Sequence, residues 1–228
     1  MTSSRICSIC PWTTRSAIAQ RKGLGIWNWA GSDADIEPDL VMANAGDVPT
    51  MQALAATDLP RGYFSDLRIR LVNVVDLYRL MPDDDYDHDL SNADFDAIFT
   101  SDKPVIFNFH GYPSLIRKRV YRRDGGRHFH VRGYQEHGNI DTPLGLAIRN
   151  RIERLNLAID AIECVPRLRA IGAYVQERIR ENIARCQRFA WEEGCDPPDY
   201  AGWTGAARRA ARSALGLKYA ADDPVRVA

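Results

Sequence analysis

The chain has 228 residues, enough for one large domain or two small ones, and a hydrophobic content of 45% that is ordinary for a protein with a core. Thirty basic residues balance thirty acidic ones, so the composition gives no overall attraction to nucleic acid or to an anionic membrane. No apolar run approaches the roughly 20 residues that span a bilayer, and the N-terminus lacks the apolar core of a secretory signal. Since five irregularly spaced cysteines argue against a disulfide framework, we expect a reduced, cytoplasmic protein that binds neither nucleic acid nor membrane.

The N-terminal region gives weak structural signals. Residues 1–22 show no clear hydrophobic period and are expected to form an irregular segment. Cys7 and Cys10 match C-x-x-C, but no second pair or nearby histidine completes a zinc site, so chance spacing is the preferred interpretation. After a flexible glycine-containing stretch, Trp27 and Trp29 are expected to pin a connecting segment onto the domain surface.

Short runs of β-branched and aromatic residues then predict four strands, at residues 39–45, 68–76, 105–109 and 129–134. Helices are predicted between them, from Pro49 to about residue 57, after the Ser91–Asp94 capping box, and over residues 114–121. Asp47 is the expected N-cap of the first of these helices. The alternation predicts an α/β fold of three layers, with a mostly parallel sheet and helices on both faces.

The C-terminal third predicts two long helices. Thr142 followed by Pro143 is a strong helix start. An apolar stripe then predicts one continuous helix that ends before Pro166, formed by Leu144, Ile148, Ile152, Leu155, Ile159 and Ile162. A last helix is predicted over residues 167–193, with Gly194 as its stop. We expect the domain to cover residues 23–203 and residues 204–228 to form a poorly packed tail.

Ligands of such sheets bind outside the carboxyl ends of the strands, and several polar residues follow these ends. The candidate crevice or interface residues are Asp47, Asn73, Asp76, His110, Tyr112, Arg132 and Tyr134. His110 has two interpretations, a general acid–base or phosphate-contacting group, or a histidine that hydrogen-bonds a loop or a partner subunit. For Asp47, a helix cap is preferred to a catalytic group.

Other motifs exclude more than they establish. The sequence contains no phosphate loop of the Walker type, no complete dinucleotide fingerprint and no nucleophile elbow. His128 and His130 would share one face of a strand, but no third ligand is convincingly placed, so no metal site is expected. The basic patch at residues 117–132 has three interpretations: a solvated helix face, a subunit or domain interface, and, least favoured, a nucleic-acid contact.

Five segments carry a family resemblance, in order and with few gaps between about residues 23 and 203. They are GIWNWAG from Gly25, AGDVPT from Ala45, LVNVVDL from Leu71, DKPVIFNFHGYP from Asp102 and HVRGY from His130. Together they resemble the C-terminal region of xylulose-5-phosphate/fructose-6-phosphate phosphoketolase. The F-H-G-Y-P segment alone is quite specific.

The resemblance implies a thiamine-diphosphate-dependent aldehyde-lyase of carbohydrate metabolism, related to transketolase. Such an enzyme cleaves a ketose phosphate with inorganic phosphate to acetyl phosphate, an aldose phosphate and water. It is built from three domains, works as a dimer or larger assembly, and is several times longer than this chain. The chain resembles only the third domain, so the fold expected is that of the transketolase C-terminal domain.

The resemblance also implies what this chain lacks. Thiamine diphosphate and Mg²⁺ belong to the two earlier domains, and Gly46-Asp47-Val48 lacks the second glycine of the cofactor motif. We therefore assign no catalytic residue and expect no cofactor on this chain alone. Its expected partners are the remaining domains or a second subunit, with a sugar phosphate bound by the full enzyme.

Within the match, Ser114 replaces a large aromatic residue and Arg117 to Arg119 are more basic than the family pattern. Because both ends match nothing in the family, a truncated or frame-disrupted gene is one expectation. We expect the isolated chain to be inactive as a lyase, to support the dimer and to edge the substrate channel. Two alternatives stay open: a stand-alone small-ligand or regulatory module using the strand-end crevice, and an interaction protein that pairs with a separately encoded remainder.

Overall fold

A computed structural model describes residues 23–33, 36–82 and 90–201. The N-terminal segment with its C-x-x-C pair and the C-terminal tail lie outside the described residues, so the predictions made for them stay predictions. Within the described part of the chain, no helix is long and apolar enough to cross a membrane.

The described residues form one five-stranded sheet. Its strands are β1 (Leu24–Ile26), β2 (Leu40–Ala45), β3 (Ile69–Val74), β4 (Val105–Phe109) and β5 (Phe129–Gly133). Their order is β1-β3-β2-β4-β5, and β1 pairs with β3 antiparallel whereas the other neighbours are parallel. All four predicted strands are present. The prediction of a flexible stretch before Trp27 was wrong, because Leu24 to Ile26 pair with β3 as an edge strand.

Helices cover both faces of this sheet. They are α1 (Asp47–Tyr63), α2 (Asn92–Phe99), α3 (Pro113–Val120), α4 (Pro143–Arg149), α5 (Arg154–Cys164), α6 (Pro166–Ile171), α7 (Ala173–Glu193) and the short α8 (Pro198–Ala201), with 3-10 turns at Leu77–Leu80 and Asp124–His128. Because side chains alternate along a strand, the side chains on each face of the sheet pack into a separate hydrophobic core. Met42, Leu71 and Ile106 pack with residues of α1, α5 and α7, whereas Ala43 and Phe107 pack with residues of α2 and α3. The three-layer α/β prediction is therefore confirmed.

Two predicted helices are interrupted. The apolar stripe that begins at Leu144 is buried as expected, but α4 ends at Arg149 and α5 begins at Arg154, with Arg151 at a φ of 55° between them. The final helix breaks at Gly172, where a Cβ would lie 2.3 Å from Cγ2 of Ile162. An apolar pattern that stays in phase does not reveal either break.

The helix ends follow most of the sequence signals. Ser91 and Thr142 accept bonds from the backbone N–H groups three residues on, and Gly194 ends α7 with a φ of 68°. Asp47, however, is not the N-cap of α1. Gly46 takes that position with a φ of 104°, a backbone conformation that favours glycine, and the Asp47 carboxylate accepts only from the N–H of Val48.

Trp27 is buried in the domain core and does not merely hold a connecting segment against the domain surface. Its side chain is buried in the same core as Met42 and Leu71, and its ring stacks on Trp29 at 5.4 Å between centroids. Its backbone N–H also donates to the carbonyl of Leu71, at 2.8 Å. The segment after β1 is therefore part of the domain core.

Candidate functional site at the carboxyl ends of the strands

A row of polar side chains crosses four neighbouring strands, one residue before each strand ends. Asn73, Asn44, Asn108 and Arg132 occupy the penultimate positions of β3, β2, β4 and β5 and are paired in register. Residues in register across a sheet project to the same face. Here that face is the one covered by α1 and α5, so the row is enclosed by helices.

Asn44 is the centre of a closed amide network. Its Oδ1 accepts from Nδ2 of Asn73 and from Oγ1 of Thr50, each at 2.7 Å, and its own Nδ2 donates to the carbonyl of Val72 at 3.2 Å. Both asparagines are buried, and Thr50 lies in the first turn of α1. Asn73, a predicted crevice residue, therefore fastens β3 and β2 to α1.

Asn108 continues the network from β4. Its Nδ2 donates to the carbonyl of Ile152 at 2.9 Å and reaches that of Pro49 at 3.4 Å, so it joins the start of α1 to the junction before α5. The residue is fully buried, and its Oδ1 has no hydrogen-bond partner among the described residues. Sequence reasoning missed Asn108, because an asparagine inside an apolar strand resembles any other buried strand position.

Arg132 is held by a carboxylate on α5. Its Nε and Nη2 donate to the two oxygens of Asp160 at 2.6 and 2.8 Å, and Nη2 of Arg151 donates to Oδ1 at 2.9 Å. The hydrogen bond with Asp160 raises the pKa of Arg132. Asp160 is buried, so its single charge is shared by two arginines. The guanidinium of Arg132 is thus committed to α5.

A second buried carboxylate starts α5. Glu153 accepts from the N–H of Asn156 at 2.8 Å, from Nδ2 of the same residue at 2.6 Å, and from the N–H of Leu155. Burial raises the pKa of Glu153, although these hydrogen bonds oppose the shift. The hydroxyl of Tyr200 also donates to it, at 3.4 Å. The apolar stripe around Glu153 suggested a helix interior, so its role as a cap was missed.

His110 lies beyond this row, at the outer edge. The ring Nδ1 is 3.3 Å from the carbonyl oxygen of Ala45, and because a carbonyl can only accept, Nδ1 is the donor in this contact. Gly46 packs so closely on the ring that a Cβ there would lie 2.5 Å from Nδ1. His110 therefore hydrogen-bonds the end of β2, and the residue as a whole is exposed.

The remaining candidates are mostly occupied or exposed. Asp76 accepts from the N–H of Tyr78 at 2.9 Å and caps the 3-10 turn after β3. The hydroxyl of Tyr134 donates to Glu136 at 3.3 Å, and desolvation, with the nearby Glu136 and Tyr112, raises its pKa. Tyr112 is exposed at the start of α3, and Asp47 is exposed at the start of α1.

The basic patch contains one buried arginine that none of its three interpretations anticipates. Arg123 donates to Oδ1 of Asn92 at 2.6 Å, to the carbonyl of Leu90 at 2.8 Å and to that of Leu80 at 3.3 Å. It thereby clamps the segment before α2 to the 3-10 turn after β3. Arg119 lies 4.2 Å above the Tyr78 ring, so it too has a local structural partner.

No group of three or more histidine, cysteine, aspartate or glutamate side chains able to hold a metal occurs among residues 23–33, 36–82 and 90–201. The expectation that His128 and His130 share a strand face was wrong, because His128 lies in the 3-10 turn and β5 begins after it. A cavity of about 350 Å³ lies between α5 and α7, and Arg151 and Arg180 are among the residues that line it.

Comparison with known proteins decides the family. The family model described as the XFP C-terminal domain matches residues 12–205. The chain belongs to this family. Over 182 residues it is 54% identical to a probable phosphoketolase of Methylococcus capsulatus, covering 80% of this chain and 22% of that protein. A probable phosphoketolase of Synechococcus elongatus is 56% identical over 182 residues, covering 80% and 23%. The resemblance found in the sequence is thus confirmed.

This XFP C-terminal domain therefore spans less than a quarter of the length of the curated relatives it matches. Its structure is also similar to transketolase from Leishmania mexicana, with a TM-score of 0.43 and 17% identity, over 66% of this chain and 19% of that one. That likeness is too weak to support a conclusion about function.

The described residues do not fit the thiamine diphosphate and Mg²⁺ that the phosphoketolase resemblance implies. Asn73 binds Asn44, Arg132 binds Asp160 on α5, and the turn at Gly46 is packed against His110. No set of metal ligands occurs among the described residues. No chemical step through this cofactor is therefore assigned to residues of this XFP C-terminal domain.

Proposed function

We propose that this chain is the C-terminal domain of a phosphoketolase and supports the enzyme's assembly rather than its chemistry. The proposal depends on one observation, the 54–56% identity to probable phosphoketolases of which the chain covers only 22–23%. The complete protein would cleave xylulose 5-phosphate or fructose 6-phosphate with inorganic phosphate, giving acetyl phosphate and an aldose phosphate. Thiamine diphosphate and Mg²⁺ would be held by the remaining domains or by a second subunit.

The strand-end geometry supports a structural role. In α/β proteins the crevice at these ends usually presents free polar groups to a ligand. Here Asn73 binds Asn44, and both nitrogens of Arg132 that face α5 bind Asp160. A side chain already committed to a buried partner must lose that contact before it binds substrate, at a cost of about 1–3 kcal/mol.

A chimera tests this function directly. The 182 matched residues of the M. capsulatus protein are replaced by the matching segment of this chain. Acetyl phosphate is trapped as the hydroxamate in the presence of xylulose 5-phosphate, phosphate, thiamine diphosphate and Mg²⁺. We expect the chimera to work at a rate of the same order as the parent, and the 228-residue chain alone to form none. Acetyl phosphate made by the chain alone, or a folded but inactive chimera, would contradict the proposal.

The cavity between α5 and α7 favours a small-ligand module, although at a different place from the strand-end crevice expected from the sequence. Its floor contains Ile148 and Ile159, and its walls carry Arg151 and Arg180. If this alternative holds, a sugar phosphate raises the melting temperature of the isolated chain, and Arg180→Gln abolishes the rise. An unchanged melting temperature at millimolar ligand removes the alternative.

A further inference from the structure

The two edges of the sheet carry different chemistry. At the carboxyl ends, Val48, Val75 and Tyr112 are 54%, 61% and 53% exposed. They follow β2, β3 and β4 within three residues, and these strands are adjacent in the sheet. Because neighbouring strands lie about 4.8 Å apart, three exposed apolar side chains are brought to one edge. We call these three residues the carboxyl-edge surface.

The amino-end edge is charged and paired. Arg167 bridges Asp39 at 2.9 Å and Asp66 at 2.7 Å, beside the starts of β2 and β3. Lys103, just before β4, pairs with Asp102 at 2.8 Å. Charged groups of this kind keep their hydration and are depleted from the cores of interfaces, whereas aromatic residues are enriched there. The carboxyl edge thus has the composition of an interface, and the amino-end edge has that of a solvated surface.

We propose that the carboxyl-edge surface docks against the remainder of the phosphoketolase polypeptide. This inference rests on the proposed function, since it takes the rest of the matched relatives, more than three quarters of their length, as the occupant. Val48, Val75 and Tyr112 form the apolar centre. Exposed Asp47 and exposed His110 lie next to them in the sequence and supply a polar rim, as in other protein interfaces.

Linkage within one polypeptide explains why so small a surface suffices. A free partner must overcome the loss of translational and rotational freedom on binding, of order 4–15 kcal/mol. A domain joined to its partner is held at millimolar effective concentration, so few apolar contacts maintain docking. Three exposed apolar side chains that follow adjacent strands at one edge indicate an interaction site, whereas single exposed apolar residues elsewhere are ordinary.

Hydrogen exchange locates the docked surface. The isolated 228-residue chain is compared with the chimera described above, both at several concentrations. We expect the amides of residues 46–50, 75–78 and 111–115 to exchange at least about tenfold more slowly in the chimera, and those of residues 66–68 and 101–103 to be unchanged. Protection at the amino-end edge instead, or none at the carboxyl edge, overturns the proposal. If the same amides of the isolated chain exchange more slowly as its concentration rises, the surface binds a second copy of the chain. That result also overturns the proposal.

Exposed substitutions separate docking from folding. In the chimera, Tyr112→Asp and, independently, Val48→Asp should abolish the added protection, because each places a carboxylate in the apolar centre. Trp191→Asp is the matched control, since this side chain is 90% exposed on α7, and it should leave the protection intact. Equal loss in the control refutes the assignment. If the carboxyl-edge amides exchange slowly but the chimera is inactive, only the proposed function is refuted. If the chimera is active but these amides exchange as fast as in the isolated chain, only docking is refuted.

Discussion

Asp160→Asn tests how far the strand-end row depends on one buried charge. The carboxylate accepts three hydrogen bonds, two from Arg132 at 2.6 and 2.8 Å and one from Arg151 at 2.9 Å. Asparagine keeps the shape and one acceptor oxygen but removes the negative charge. Two guanidinium groups then face a neutral amide, and one of the two oxygens becomes an N–H₂ group that repels them.

The loss of stability expected for Asp160→Asn depends on how exposed the three side chains of the ion pair are. Removing one partner of a fully buried pair costs about 3–5 kcal/mol, because the other charge is left without compensation. Asp160 is 2% exposed, but the side chains of Arg132 and Arg151 are 31% and 44% exposed, so water compensates part of the loss. We therefore expect a decrease of about 2–3 kcal/mol in the free energy of unfolding.

Urea unfolding of the full chain measures this decrease. With a slope of about 2 kcal/mol per molar urea, the midpoint should fall by about 1–1.5 M. Arg132→Leu should cost about 1–2 kcal/mol less in the Asp160→Asn background than alone, since the two residues act together. Asp66→Asn is the control, because its ion pair with Arg167 is exposed and is worth at most about 1 kcal/mol. A midpoint shift for Asp160→Asn no larger than that of the control would refute the reasoning.

Three further predictions concern single residues. Burial raises the pKa of Cys164 to about 11, so iodoacetamide at pH 8 should modify exposed Cys195 first, as peptide mass spectrometry would show. Burial raises the pKa of Glu153, so the folded state binds its proton more tightly, and stability should fall as pH rises from about 4.3 to the raised value. Glu153→Gln should remove that slope in urea titrations. Gly46→Ala should cost about 2–4 kcal/mol in the same assay, because its φ is 104° and a Cβ would meet His110.

Controls within the chain sharpen these three tests. Gly138→Ala meets open space at a φ of 69°, so it should cost only about 1–2 kcal/mol, and an equal cost for Gly46→Ala would argue against the contact with His110. Comparable alkylation rates of the two cysteines would show that Cys164 is not protected. A pH slope that persists in Glu153→Gln would assign the slope to another group.

The strands were predictable because their signal is local. β2, β3 and β4 are short apolar runs ended by turn residues, and burial on both sheet faces explains why they do not alternate. β1 has only three residues with a glycine at its centre, and its existence depends on antiparallel pairing with β3. No window of three residues contains that information.

The break before α5 was not predictable for a different reason. The apolar residues Ile148, Ile152 and Leu155 keep a helical spacing across the interruption, so the hydrophobic pattern is the same with or without it. Two contacts accompany the interruption: Glu153 caps α5 locally, and the carbonyl of Ile152 accepts a long-range bond from Asn108 on β4. A periodic apolar pattern indicates which residues are buried. Here the predicted burial was correct, but the prediction of one continuous helix was wrong.

The orientation of the candidate side chains was not predictable from the sequence. Fold-level reasoning led to the carboxyl ends of the strands, where polar residues were expected to face a ligand. Register shows that the penultimate residues Asn73 and Arg132 point instead into the layer beneath α1 and α5. Only strand pairing reveals this, since a shift of one residue would turn each of them to the opposite face.

The mutual hydrogen bond of Asn44 and Asn73 and the apolar carboxyl edge have one physical explanation. A ligand crevice needs unsatisfied polar groups that water or substrate can reach, and it tolerates little exposed apolar surface around them. Here the amides of Asn44 and Asn73 satisfy each other below the edge, while Val48, Val75 and Tyr112 stand exposed above it. Satisfied groups inside hold the strand ends rigid, and apolar groups outside gain only when another surface covers them. The edge that serves other α/β proteins as a binding crevice is therefore the edge at which we propose that this domain docks.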